Sequence, residues 1–218
     1  MSSKYPRTFH LPFSPGATKD DRKLSSIVHF LGKPLVITEK MDGSNICLES
    51  KNVFARSHSK QPDHPSFNFL KTIHQTIRHN IQDNIQIFGE WLFAKHSIHY
   101  TSLHSYLNVF GIRDIENNTW YSWSAVSTKT KGLMLETVPV LIENVKFDTE
   151  KQLQSAIIEF AKQPSVCGGE REGVVVRITD EFTDDCFGLN VAKYVRAGHV
   201  QTDDHWSSKS IIKNILEK

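Results

Sequence analysis

The 218-residue sequence has little cysteine, little net charge and no long apolar run. Its three cysteines, Cys47, Cys167 and Cys186, are scattered and form no Cys-x-x-Cys pair. That spacing excludes a disulfide framework, argues against a structural zinc site and fits a reducing compartment. Apolar runs fall far below the roughly 20 residues that span a bilayer. The start, Met1-Ser2-Ser3-Lys4-Tyr5-Pro6, has no signal-peptide core. A soluble cytoplasmic protein is expected. The net charge is only +2, so a nucleic-acid surface must be a local patch. What is present suffices for a packed core: 39% hydrophobic and 23% charged residues, at a length suited to one domain.

One stretch organises the chain: Ile37-Thr38-Glu39-Lys40-Met41-Asp42-Gly43-Ser44-Asn45-Ile46-Cys47-Leu48. Two apolar runs flank a polar segment with a glycine, which reads as strand, turn, strand. Lys40 sits where the first strand ends, beside Asp42, Ser44 and Asn45. Alone this signal is weak, because a Lys-x-Asp-Gly string arises by chance in roughly one chain in twenty of this size.

Along the chain, residues 20–30 suggest a short helix with Leu24, Ile27, Val28 and Leu31 on one face. Residues 53–56 suggest a strand. Phe67, Leu70, Ile73, Ile77 and Ile81 recur with helical period. Strands are expected over 85–93, 107–112, 120–123, 138–142, 172–178 and 190–195. Thr149 would cap a helix running to about Lys162. A final helix is expected from Ser207, with Ile211, Ile212, Ile215 and Leu216 on its apolar face. The histidines near 96–104 show no metal-ligand spacing and read as a polar loop. Strands outnumber helices and the helices are dispersed, so the expected class is α+β, antiparallel sheets flanked by helices.

Several strands carry charges a plain core strand would lack. Glu90 follows a glycine in Ile87–Phe93, Glu172 opens Val174-Val175-Val176, and Lys193 interrupts Asn190–Val195. In order, the chain has Lys40-x-Asp42-Gly43, Arg56, Phe88-Gly89-Glu90, Phe110 in Val109-Phe110-Gly111-Ile112, Glu172-Gly173-Val174-Val175-Val176-Arg177, and Lys193. This series resembles the ordered motifs of the covalent nucleotidyltransferases, polynucleotide ligases and messenger-RNA capping enzymes. It is most similar to the RNA ligase 2 family. The motifs span Lys40 to Lys193, about two thirds of the chain.

The resemblance implies an ATP-dependent RNA ligase on a nucleotidyltransferase (ATP-grasp-like ligase) domain. Lys40 would take AMP from ATP, pass it to an RNA 5′-phosphate, and a 3′-hydroxyl would then displace it. A lysine attacks phosphorus only when unprotonated, and its ordinary pKa is near 10.4. Lys193 is the expected cation that lowers it. Glu172 would help bind Mg²⁺, or Mn²⁺ in its place. Glu39, Asp42, Asn45, Arg56, Glu90 and Phe110 would hold the nucleotide with Lys193, Phe110 by stacking on adenine and Asn45 by serving the sealing step. Asp42 stands where some RNA ligases have histidine. Some relatives carry a second lysine two positions after Lys193, where this chain has Val195. Arg196 is the next cation and is counted with the nucleotide-holding residues, since it could reach the same phosphate; regular alternation would turn it to the opposite face from Lys193, so a bulge or strand end would be needed.

Only about twenty residues follow Arg196, too few for an OB-fold domain, and 39 precede Lys40. The expectation is therefore one adenylyltransferase domain over 1–218, with 198–218 a short helical tail. Its partners would be RNA ends, a nicked duplex among them, with an end-healing kinase or phosphatase, and the protein would be monomeric. Gly198–Trp206 could hold a phosphorylated RNA end or merely pack the tail. The competing readings are a small DNA ligase and an inactive nucleotide- or RNA-binding module on the same fold.

Overall fold

The computed structural model describes residues 4–57, 60–199 and 211–217. Among the described residues twelve strands form two sheets: β1 (Phe9–His10), β2 (Leu35–Lys40), β3 (Ser44–Leu48), β4 (Val53–Ala55), β5 (Ile85–Trp91), β6 (Leu107–Asp114), β7 (Thr119–Trp120), β8 (Glu136–Thr137), β9 (Val140–Val145), β10 (Gly173–Ile178), β11 (Phe182–Thr183) and β12 (Val191–Val195). The helices are α1 (Asn68–Ile77), α2 (Trp123–Gly132), α3 (Glu150–Lys162) and the short α4 (Phe187–Asn190). The first sheet has the order β1-β12-β10-β2-β9 and the second β11-β7-β6-β5-β3-β4, with β8 paired to β6. Every pairing is antiparallel except β1 with β12 and β6 with β8.

Strand alternation divides the side chains into layers. Leu35 and Ile37 of β2, Val174 and Val176 of β10, and Ala192 and Tyr194 of β12 pack on one side against Leu153, Ile157 and Ala161 of α3. Burying each of the larger aliphatic side chains contributes about 1.5–3 kcal/mol. The helix is set in place by a capping box between Thr149 and Gln152. In the second sheet Ile46, Leu48, Ile87, Val109 and Ile112 face Leu70 and Ile77 of α1 and Trp123 and Val126 of α2. The opposite faces of the two sheets meet each other. There Cys47, Phe88 and Trp120 contact Val191, with Val175 and Phe110 at the margin. The layers run α3, first sheet, cleft, second sheet, α1 and α2.

Three expected elements differ. Residues 20–30 form only a three-residue 3-10 turn, Val28–Phe30, and Val28 is exposed. The segment is held extended by backbone bonds from His10 to Arg22 and from Leu24 to His10, while Thr18 and Ser26 use their own hydroxyls locally. The 120–123 strand stops at Trp120, because Ser122 caps α2 by accepting from the Ala125 N–H. The final helix lies partly outside the described residues. Residues 211–217 are extended, with single bridges at Ala94–Lys213 and Leu103–Leu216. Ile211, Ile212, Ile215 and Leu216 are exposed and only Asn214 is buried. The adjacent β-branched Ile211 and Ile212 favour extended backbone.

Candidate active site

Lys40 ends β2 and Lys193 lies in the middle of β12, with β10 between them. The register sets Gly173 opposite both Lys40 and Val195, and Val175 opposite both Thr38 and Lys193. Lys40 and Lys193 therefore share the face that looks into the cleft. Gly173 is required by backbone proximity, since a Cβ there would lie 1.9 Å from the Tyr194 carbonyl oxygen.

Glu172 immediately precedes β10 and grips the Lys40 amine with both carboxylate oxygens, at 2.7 and 2.8 Å. The turn that follows Lys40 passes tightly over β5. A Cβ on Gly43 would meet the Trp91 carbonyl at 2.6 Å, and the bare glycine instead donates its N–H to Glu90 at 3.1 Å. Asp42 is fixed from below. Its Oδ2 accepts from Ser97 and Ile98 N–H groups at 2.8 Å each, and its own N–H donates to the Tyr100 hydroxyl at 2.9 Å. Its Oδ1 faces His199, whose Nε2 lies 3.5 Å away and 3.3 Å from Glu172 Oε1.

The charge balance differs from expectation. Burial pulls the Lys40 pKa down, but Glu172, Glu90 and Asp42 outweigh it and the result is raised. Lys193 is the lysine whose pKa falls, through burial and then the nearby Lys40. The expected direction at Lys40 is thus reversed in this state: three carboxylates crowd it and a single cation cannot offset them. Glu90 is pushed up to about 8 by burial, with Glu172 and Asp42 adding to the push. Glu172 is raised by burial despite Lys40.

Of the other residues singled out in the sequence, Asn45 lies opposite Glu90 on adjacent strands, and its buried Oδ1 has no hydrogen-bond partner among the described residues. Arg56 follows β4, exposed, and its charge acts on Lys193. Phe110 is the extra residue of a β-bulge, since Phe88 pairs with Gly111 and Gly89 with Val109. The bulge re-aims its ring into the cleft, edge-on to Tyr5 at 4.9 Å. Two residues are turned elsewhere. The Glu39 side chain is fully buried, paired with Arg171 at 3.2 Å and bonded to the Val166 N–H. It belongs to the side of β2 away from Lys40, as alternation demands. The Arg196 guanidinium is bonded to Glu170 and to the Arg171 carbonyl, not aimed at Lys40.

Tyr5, Arg177, Asp21, Tyr100 and His199 were given no individual role from the sequence. The Tyr5 ring touches Phe88, Phe110, Trp120 and Phe187, and its hydroxyl accepts from Arg177 at 3.2 Å. Asp21 is within 3.9 Å of the Lys193 amine and 3.5 Å of His10. Arg177 alone left a local signal, a charge ending a β-branched run. His199 lies in the Gly198–Trp206 stretch that the sequence singles out as a whole, while Tyr5, Asp21 and Tyr100 become visible only when distant segments meet. Residues 200–206 lie outside the described residues, so of Gly198–Trp206 only Gly198 and His199 are placed.

A divalent cation fits this donor set. Single ligand atoms of Asp42, Glu172 and His199 lie within 4.8 Å of one another, and carboxylate oxygens suit hard cations. The arrangement presents a part-buried lysine, carboxylates and a flanking aromatic recess, with a second lysine on the same face. Such a site can hold a nucleotide with its phosphates at the lysines.

Comparison with known proteins bears on the fold and the family. A Naegleria gruberi RNA ligase mutant with ATP and Mn superposes with a TM-score of 0.59 at 17% identity, covering 91% of this chain and 57% of that one. An archaeal ATP-dependent RNA ligase gives 0.57 at 15% identity, covering 88% of this chain and 48% of that one. The chain thus spans about half the length of these structures, and at such identities the likeness shows the fold. No curated protein sequence matches. The sequence itself matches the RNA ligase family over residues 33–195, from just before β2 to the end of β12, and the chain belongs to that family.

Proposed function

We propose that the chain is an ATP-dependent RNA ligase whose catalytic domain lies within the described residues and carries AMP on Lys40. The single observation that carries this reading is the Lys40–Glu172 contact in the cleft, with Lys193 on the same sheet face. The Lys40 Nζ forms a bond to the α-phosphorus as the bond to the β-phosphate oxygen breaks, releasing pyrophosphate. The ammonium proton leaves first, to Glu172 or solvent. An RNA 5′-phosphate oxygen then displaces Lys40 from AMP, and a 3′-hydroxyl displaces AMP from the activated RNA.

Lys193 offsets charge on the α-phosphate, and Arg56 extends the positive surface toward the outer phosphates. Tyr5, Phe110 and Val175 frame the base, and Glu90 and Asn45 face the sugar. A divalent cation, Mg²⁺ or Mn²⁺, bound at Asp42 and Glu172 would supply the positive charge those carboxylates now draw from Lys40. Burial and Lys193 then act on Lys40 together, and both favour the neutral amine. Three free thiols are in keeping with a cytoplasmic setting, and no described helix is long and apolar enough to cross a membrane.

The reaction is tested with 5′-phosphorylated RNA at a nick, ATP and Mg²⁺ or Mn²⁺. Joined RNA is expected, with RNA-adenylate accumulating when the 3′ end lacks its hydroxyl. Joining of DNA 3′ ends in preference to RNA 3′ ends would overturn the RNA assignment.

A further inference from the structure

The buried His199 has no place in the nucleotide-holding set. Its side chain is 6% exposed, in contact with two carboxylates. Its Nδ1 is buried with no hydrogen-bond partner among the described residues. As a plain ion pair it is poorly built: both contacts exceed ordinary charge-assisted hydrogen-bond lengths, and one polar atom is left unsatisfied. The spacing suits another role. Neighbouring ligands of an octahedral ion with bonds of about 2.1 Å stand roughly 3 Å apart. His199 Nε2 lies 3.3 and 3.5 Å from Glu172 Oε1 and Asp42 Oδ1. Neither carboxylate is free to swing: Asp42 is pinned by two N–H groups and Glu172 by Lys40.

We infer that His199 is a direct nitrogen ligand of a divalent cation held with Asp42 and Glu172, and that it biases the site from Mg²⁺ toward Mn²⁺ and related transition ions. Mg²⁺ favours oxygen ligands and retains its water, whereas an imidazole is a good ligand for first-row transition ions. His199, four residues past β12, thereby enters the metal site, and Glu172, Asp42 and His199 bring together the approach to β10, the β2–β3 turn and the segment just after β12. The inference rests on the ligase reading for its purpose but not for its test.

Mn²⁺ is added to the nucleotide-free protein, and pulsed electron paramagnetic resonance reads its nitrogen couplings. A ¹⁴N coupling is expected, converting to a ¹⁵N pattern on histidine labelling of the wild-type protein. It is expected to vanish in His199→Gln, and in His199→Asn should the first variant melt early. Competition against Mg²⁺ should show the Mn²⁺ preference falling on the order of tenfold in the variant. An all-oxygen Mn²⁺ spectrum in the wild type, or a nitrogen coupling that survives both variants, overturns the assignment. If Lys40 accepts AMP while the spectrum shows only oxygen ligands, the ligand assignment fails and the ligase stands. If nitrogen is seen and no AMP is accepted, the ligase reading fails and the metal site stands.

Discussion

At the scale of single residues, Glu172 has the most demanding position. It holds Lys40 through two contacts and lies beside Asp42 and His199. Glu172→Gln is expected to leave the fold intact and slow AMP transfer to Lys40 by on the order of a hundredfold, measured by single-turnover labelling. Retention of near wild-type rates would show that Glu172 only neutralises Lys40 at rest. His10 gives a pH prediction away from the lysine. Burial, and then Lys193, hold its pKa down to about 4. The unfolded chain binds that proton from about pH 6.5 downward, the native protein only near 4. This contribution to stability is therefore complete above about pH 6.5 and is lost as pH falls toward 4. Denaturant midpoints measured across that window should fall in the wild type and stay flatter in His10→Gln.

Individual residues also show what was legible in the sequence. Glu90, Glu172 and Lys193 could be singled out because charges interrupt apolar strands, and Lys40 because it closes a strand beside a polar turn; those residues do converge on one cleft. Glu39 lay next to the lysine in sequence, yet one residue along a strand reverses the face, and its carboxylate is sealed against Arg171. The pKa direction at Lys40 was not legible, because it depends on how many carboxylates the fold gathers around it.

At the scale of elements, the N-terminal segment and the tail both serve the cleft. The N-terminal segment carries Tyr5 into the aromatic recess beside the Phe110 bulge. Tyr5→Ala is expected to raise the KM for ATP by about tenfold, since an aromatic wall against a base contributes about 1–3 kcal/mol, while Tyr5→Phe should lie much closer to wild type. Unchanged KM values in both would place the base elsewhere. The tail acts through Asn214. Its Nδ2 donates to the Leu92 carbonyl at 2.7 Å, and its Oδ1 accepts from the Tyr100 N–H at 2.9 Å. Tyr100 in turn supports the Asp42 N–H. Asn214→Ala leaves these buried groups unmatched, so a loss of about 1–3 kcal/mol is expected by chemical denaturation, with slower AMP transfer through the loosened Asp42 turn. The tail reads as a helix from its apolar spacing because the pattern cannot reveal that the one buried side chain among its described residues 211–217 is an amide. By contrast, the Thr149 cap and the periods of α1 and α3 are local signals, and those helices appear where the sequence places them.

At the scale of the whole molecule, two sheets face each other, the first backed by α3 and the second by α1 and α2, and the proposed chemistry lies in the cleft between them. The alternation that buries Ile37, Val174 and Ala192 against α3 turns Lys40 and Lys193 the other way. Stability and reactivity are thus opposite faces of the same strands. The class, α+β with largely antiparallel sheets, followed from the sequence because strand periodicity is local. The sheet order did not, since β2 pairs with β10 from the far end of the chain and no local pattern records that.

Lys40 is the group proposed to take AMP. The direct measurement is intact-protein mass spectrometry after incubation with ATP and Mn²⁺ or Mg²⁺, followed by peptide mapping. One AMP per chain on the peptide containing Lys40 is predicted, labile to acid, reversed by pyrophosphate and absent in Lys40→Ala. AMP attached to another residue, or the same mass gain in Lys40→Ala, would contradict it.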